Sequence, residues 1–353
     1  MNVFILHNPA NSYNKRELFL LTRPFFKDGN WVNDDLLKSS WELNPKEFSL
    51  VKNSDEADVA LIPKSINYYF QSKRKKELHN LNVLCKQNNI KAYGYISGDF
   101  GRAFPEFSNI VYFRMGGFKS QLSEKNVGLQ VSLSDHFQRL FHQKTITPSV
   151  KPEMATIGFC GHATTSVLKI IKDIVILEKE NLKRLFINPI RNDWEPIFAA
   201  AYVRAKLLQS IEKSKLVKTN FIYRQHYRAG VTSDEERDKT TLEYYNNIKN
   251  SDYVLCVRGT GNFSVRFYET LMMGKIPVLI ETDCLLPFEN NIDWKKHCII
   301  IPWKNRLNIA SYVSDFHATI SNNDFKEMQL NCRKIWKEGL SLYAIYSYIK
   351  KYN

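Results

Sequence analysis

From Val257 to Glu269 the chain reads Val-Arg-Gly-Thr-Gly-Asn-Phe-Ser-Val-Arg-Phe-Tyr-Glu, a spacing of charges that suits a phosphorylated, hydroxyl-rich ligand. Arg258 and Arg266 carry guanidinium groups that stay charged at any physiological pH. A helix opening near Asn262 or Ser264 would aim its unsatisfied N–H groups and the positive end of its dipole at the same place, where a diphosphate fits. Glu269 lies five residues past Ser264, about 7.5 Å along a helix axis. That is too far to repel the phosphates and near enough to accept hydrogen bonds from the two hydroxyls of a ribose. The alternative is an ordinary strand–helix–strand crossover in which Arg266 and Glu269 form an i,i+3 surface pair.

The elements that must position these groups are legible on either side. Tyr253 to Val257 is an apolar run suited to a buried parallel strand, and Gly259 and Gly261 allow a tight turn and close approach of a ligand. Asn262 or Ser264 can cap the helix, Val265, Tyr268 and Met272 mark its buried face, and Gly274 ends it before Pro277 opens the next strand. A P-loop is a poor reading, because Arg258 to Ser264 lacks the Gly-Lys-Ser/Thr ending that holds phosphate and magnesium.

At these residues the chain resembles the exostosin-like glycosyltransferases, family 47 of the carbohydrate-active enzymes. The pattern is carried by Arg258-Gly259, Ser264-Val-Arg266-Phe-Tyr-Glu269, Gly274-Lys-Ile-Pro277-Val278 and Leu286-Pro287-Phe288 ahead of Trp294. Looser matches are Ala57-Asp-Val-Ala-Leu-Ile-Pro63, Phe159-Cys-Gly161 with Arg204 downstream, and Trp336. The resemblance implies an α/β chain of the GT-B class: two Rossmann-like parallel-sheet domains facing across a cleft, with the nucleotide sugar on the C-terminal one and the last helix crossing back to the first. It further implies inverting transfer from a UDP-sugar to a glycan or lipid-linked saccharide, in a bacterial-type member serving surface polysaccharide synthesis such as capsule, lipopolysaccharide or O-antigen.

The 353 residues, 44% hydrophobic, are enough for two ordinary domains with real cores. Strand-like and helical runs alternate, which argues for parallel sheets. Strands are expected near 2–7, 58–63, 91–97, 109–115 and 129–134, then at 156–160 and 219–224; helices near 166–180, 195–213 and 234–247, with a helical tail from Asn322 to Tyr352. The polar, proline-punctuated stretch from His142 to Glu153 reads as the break. Expected domains are therefore 1–148 on the acceptor side, 149–325 for the nucleotide sugar, and 326–353 as helices packing back on the first.

Cysteines Cys85, Cys160, Cys256, Cys284, Cys298 and Cys332 stand singly, as buried free thiols would. The start, Met1 to Asn8, reads as a strand rather than a signal peptide, and no apolar run approaches the ~20 residues of a membrane span. The expectation is a soluble cytoplasmic protein. Its net charge of +14 calls for an anionic partner. Lys73-Arg-Lys-Lys76 is either a solvated helix face or a contact with an anionic membrane. A nucleic-acid-binding or non-catalytic nucleotide-binding protein is the rival class. Against nucleic acid, the basic residues are spread out and form no recognised motif.

The chemistry expected is direct displacement at the anomeric carbon. Fixed cations would stabilise the departing diphosphate, and no metal is expected, since no Asp-x-Asp stands at a strand end and the acidic clusters Asp34-Asp35 and Asp55 to Asp58 read as loop and cap chemistry. Further donor contacts are expected from Gly161, which ends the first strand of the second domain, and from Arg224, with Arg228, at a strand end where α/β clefts form. Arg204 matches the family by position, with a structural salt bridge as its alternative. The general base is assigned to Asp99, in the glycine-flanked loop Ile96-Ser-Gly-Asp-Phe-Gly101; a turn-capping role, or His7 or His136 as base, are the alternatives.

Overall fold

The computed structural model describes residues 1–6, 21–22, 49–187 and 194–353, so His7 and Asp34–Asp35 lie outside it. The chain divides into two compact units. The first comprises Met1–Ser134, Leu285–Glu289 and Glu338–Asn353; the second comprises Asp135–Cys284 and Asn290–Lys337.

The sheet of the first unit contains β1 (Asn2–Ile5), β2 (Ser49–Val51), β3 (Val59–Leu61), β4 (Lys91–Ile96), β5 (Ile110–Arg114) and β6 (Asn126–Gly128), in the order β2-β1-β3-β4-β5-β6. Every pairing is parallel. Burial on both faces explains why β3 and much of β4 are apolar instead of alternating. Helix Lys75–Gln87 buries Leu78, Leu81 and Cys85, which recur at helical spacing, and leaves Lys73 to Lys76 in solvent. β2 is too short to stand out in the sequence. β6 lies three residues before the expected 129–134 run, because Gly128 ends it by bridging Pro287. A Cβ at Gly128 would meet the Leu286 carbonyl oxygen at 2.2 Å, so only glycine admits this chain. The Leu-Pro-Phe triplet of the motif is thereby part of the first unit, where Phe288 packs on Tyr348 of helix Leu342–Tyr352 at 5.2 Å.

The second unit is built on β7 (Thr156–His162), β8 (Lys218–Arg224), β9 (Tyr253–Cys256), β10 (Ile276–Glu281) and β11 (Ile299–Pro302), ordered β11-β10-β9-β7-β8 and again parallel. Helices Val167–Ile187, Ala200–Glu212, Asp234–Lys249, Val265–Met272, Ile309–Thr319 and Asn322–Lys334 accompany it. β11 escaped the sequence reading. Two Rossmann-like parallel sheets in one α/β chain are the two-domain architecture of the fold class expected above.

The change of unit falls at Ser134/Asp135 and not at 148/149. Asp135 caps helix His136–Phe141, accepting from the Gln138 amide at 3.1 Å, and takes Arg333 Nη1 at 3.0 Å, while His136 stacks on Tyr245 at 4.8 Å. These contacts hold the segment to the second unit. Likewise residues 326–337 stay with the second unit, where Met328 and Cys332 are buried and Arg333 donates to the Met272 carbonyl at 2.7 Å. Glu338–Asn353 alone of the tail joins the first unit.

Candidate functional site

Strand order in the second unit runs outward from β7 to β8 on one side and to β9, β10 and β11 on the other, so it reverses between β7 and β9. At such a point the loops leaving neighbouring strands diverge and open a crevice outside their carboxyl ends. Cys160-Gly161-His162 end β7, and Val257-Arg258-Gly259 follow β9. Of the residues singled out by the sequence, Gly161, Arg266 and the Arg258–Ser264 turn lie there.

Helix Val265–Met272 follows the turn and buries Phe267, Tyr268, Leu271 and Met272. Val265, expected on its buried face, is 40% exposed. The C-terminal stop is as read: Gly274 adopts φ +63 and donates to the Leu271 carbonyl at 2.9 Å. At the N-terminus Ser264 is the N-cap, but its side chain accepts no capping hydrogen bond, unlike Ser65, Ser233, Ser321 and Ser341. The Phe267 amide donates to the Ser264 carbonyl at 3.2 Å, and no side-chain cap occupies the start of this helix. Asn262 does not cap either. It is fully buried and donates to the Thr282 and Asp283 carbonyls at 2.9 and 3.0 Å, tying the turn to the end of β10.

Arg266 points back across the crevice. Its Nη2 donates to the Cys160 carbonyl at 2.8 Å, and its guanidinium lies 4.0 Å from the Phe159 ring centroid. A Cβ at Gly161 would stand 2.7 Å from that Nη2, so the glycine lets the cation reach the end of β7. Gly259 leaves open space within 4 Å of where a Cβ would be, and neither it nor Gly261 has a positive φ. Gly259 therefore gives room for a ligand, and neither glycine an unusual backbone.

Arg258 departs from the expected outward-facing cation. Its guanidinium is 3% exposed and turned inward, with Nη2 donating to Glu195 Oε1 at 2.6 Å and to the Thr260 carbonyl at 2.7 Å, beside the Phe198 ring at 4.7 Å. The second oxygen of Glu195 takes Arg184 Nη2 at 3.1 Å, and Asn181 holds the Glu195 backbone from both sides at 2.7 and 3.0 Å. Glu195 thus anchors the turn to helix Val167–Ile187. Arg258 follows Glu195 by 63 residues, which leaves no local spacing by which this pairing could be read.

Glu269 is half-buried and accepts hydrogen bonds from two phenols: Tyr244 on Oε2 and Tyr245 on Oε1, the latter at 3.3 Å. Burial, and next the Glu269 charge, raise the pKa of both tyrosines, keeping them protonated donors. A carboxylate has about four acceptor positions, more than these two phenols use. Neither tyrosine was singled out from sequence; the signal available was an adjacent Tyr pair in an otherwise polar helix.

Tyr245 also carries His136, whose imidazole has its pKa pushed down to about 4 by burial first and by Arg139 second, with Asp135 opposing. Arg139 Nη2 lies 2.9 Å from His136 Nδ1. Between pH 4 and the ordinary histidine value of 6.5 the unfolded chain binds more protons here than the folded one. Stability from this group is therefore complete above 6.5 and is lost as pH falls toward 4. His136→Phe, which keeps a ring on Tyr245, is expected to flatten the decline of the melting temperature over that window; an unchanged slope would remove His136 from the acid response.

The remaining expected residues are tied elsewhere. Arg224 donates to the Thr240 carbonyl at 2.7 Å and Glu243 at 2.8 Å, which occupies the guanidinium end reserved for a donor. Arg204 donates to the Ala200 carbonyl one turn earlier at 2.9 Å. Asp99 belongs to the first unit, exposed on the loop after β4. Buried Arg114 steadies that loop, donating to the carbonyls of Arg102 and Gly116 at 2.7 Å each. All six cysteines are buried free thiols; burial pushes Cys160 up to about 11 and Cys256 to about 12, so neither is a nucleophile near neutral pH.

Residues 198–316 match the model of the Exostosin GT47 domain. Over 94 residues the chain is 32% identical to an Exostosin-1 homolog of Caenorhabditis elegans, covering 27% of this chain and 24% of that protein. Over 66 residues it is 39% identical to Exostosin-1 of Drosophila melanogaster, covering 19% and 9%. The chain spans about a quarter or less of these curated relatives. Among solved structures, TarM aligns over 83% of this chain and 54% of its own at TM-score 0.30 and 11% identity. The calicheamicin glycosyltransferase CalG4 aligns over 99% and 97% at TM-score 0.31 and 9% identity. The turn and helix thus lie within the stretch that is similar to the Exostosin GT47 domain, in line with the motif's resemblance.

Proposed function

We propose that the protein is an inverting, metal-independent glycosyltransferase that takes a hexosyl or glycuronosyl group from a UDP-sugar to a saccharide or lipid-linked saccharide in surface polysaccharide synthesis. The observation that carries the proposal is the convergence of Gly161, Arg266, the Arg258–Ser264 turn and Glu269 where the strand order of the second unit reverses. The helix end and Arg266 meet the diphosphate, Glu269 takes the ribose hydroxyls, and Arg258 fixes the turn through Glu195. In the transfer step the acceptor hydroxyl gives its proton to a carboxylate and its oxygen bonds to the anomeric carbon. The bond from that carbon to the phosphate oxygen breaks, and the electron pair leaves with UDP. Negative charge gathers on the diphosphate, where a fixed cation and helix dipole are most effective.

Asp99 is proposed as the base. Asp99→Asn should leave UDP affinity unchanged while lowering turnover about a hundredfold or more, measured by UDP release with saccharide acceptors; full activity would discard the assignment. Among the described residues no helix is long and apolar enough to cross a membrane. A cytoplasmic location, with the exposed Lys73 to Lys76 run touching an anionic inner leaflet, belongs to this same proposal, and nucleic acid does not.

A further inference from the structure

Helix Val167–Ile187 of the second unit carries charged side chains inward and apolar ones outward. Glu180, Asn181 and Arg184 are buried and committed to one another and to Glu195. Leu168, Ile171, Val175, Leu182 and Phe186 are exposed, Leu168 by 80% and Phe186 by 90%. Their successive spacings of three, four, seven and four residues set them in one stripe along the helix. The helix cannot roll to bury this stripe, because the roll would pull a buried carboxylate and guanidinium from their partners. Asn181 also fastens the Glu195 backbone, so exposed Trp194 and Ile197 extend the apolar surface beside the last turns.

A contiguous exposed apolar face of this kind marks a contact surface. Its flank indicates the partner. Lys172, Lys179 and Lys183 stand exposed in a row along one side of the stripe, each one turn from Leu168, Val175 or Phe186. Of the carboxylates on this helix only Glu178 is exposed; Asp173 pairs with Lys169, and Glu180 is buried beside Arg184. An apolar stripe edged by lysines suits a helix lying in an anionic membrane surface, with its apolar side chains at the acyl boundary and its ammonium groups among the headgroups. From Leu168 to Phe186 the stripe runs about 27 Å. It lies along a bilayer and does not cross it, since among the described residues no helix is long and apolar enough to do so. A second copy of the helix fits less well. Packed antiparallel it would set the lysine row against itself, and packed parallel it would offer Glu178 alone to three lysines.

We propose that this face of helix Val167–Ile187 docks the protein on an anionic lipid surface. Its purpose rests on the reading of a transferase that works at a membrane; the docking itself does not require the donor turn. The test is flotation of the full chain with vesicles of phosphatidylcholine alone and of phosphatidylcholine mixed with phosphatidylglycerol, with calorimetric titration of UDP in parallel. Binding to the mixed vesicles should exceed binding to phosphatidylcholine about tenfold or more and fall as salt is raised. Leu168→Ser combined with Phe186→Ser should lower it about tenfold or more. Both side chains are exposed, so the fold and UDP affinity should be kept. Lys172→Glu combined with Lys179→Glu should remove the preference for anionic lipid. Failure to bind the mixed vesicles, indifference to either double variant, or loss confined to Lys73→Glu combined with Lys76→Glu would overturn the proposal. A dimer in light scattering that the Leu168 and Phe186 variant dissolves, without vesicle binding by the parent, would assign the stripe to a second copy instead. UDP binding without vesicle binding would sink this surface alone; the reverse would sink the donor site alone.

Discussion

Glu195→Ala is expected to destabilise the second unit by about 3–5 kcal/mol, because it strips a shared carboxylate from two buried guanidiniums. Arg258 and Arg184 both donate to Glu195, whose side chain is fully buried. In the variant two charges would remain in low dielectric with their main counter-ion gone, although Glu180 stays 3.5 Å from Arg184. Glu195→Gln keeps an acceptor and should cost less. Denaturant unfolding followed through the second unit checks this; a variant as stable as the parent would show that the Arg258 turn is held by something other than this pair.

Glu269→Ala is expected to weaken UDP binding more than a hundredfold. Two hydrogen bonds from ribose hydroxyls to a carboxylate are lost, each worth about 1.5–3 kcal/mol. Tyr244 and Tyr245 complicate the reading, since removing Glu269 also takes away their acceptor. Tyr245→Phe separates the effects: the carboxylate is retained, and the fall in affinity should be several-fold smaller. Titration calorimetry with UDP gives both numbers. Equal UDP affinity in the parent and Glu269→Ala would remove the ribose role.

The sequence made the donor unit legible because its parts are contiguous. β9, the turn, the helix and β10 follow one another within about thirty residues, and each is announced by local chemistry such as apolar run, glycine or proline. What escaped depends on contacts made across the chain. Glu195 sits in Asp193-Trp-Glu-Pro196 with no period or motif, and its meaning comes wholly from Arg258 and Arg184. The direction of Arg258 was misjudged for the same reason: a charge beside a glycine turn reads as outward until its buried partner is known. Leu286-Pro287-Phe288 was recognised as pattern, yet its membership of the first unit comes from the Gly128 bridge, which no spacing foretells. Asp135 behaves similarly, since its pull toward the second unit lies in Arg333, 198 residues away. β2 and β11, at three and four residues, carry too little pattern to be separated from loop.

The donor site is tested most directly by a crystal of the protein soaked with UDP. The expected map places the diphosphate at the Ser264 end of helix Val265–Met272, within reach of Arg266, and the ribose hydroxyls on Glu269. Uridine nucleotide density elsewhere, or none at saturating concentration, would contradict it.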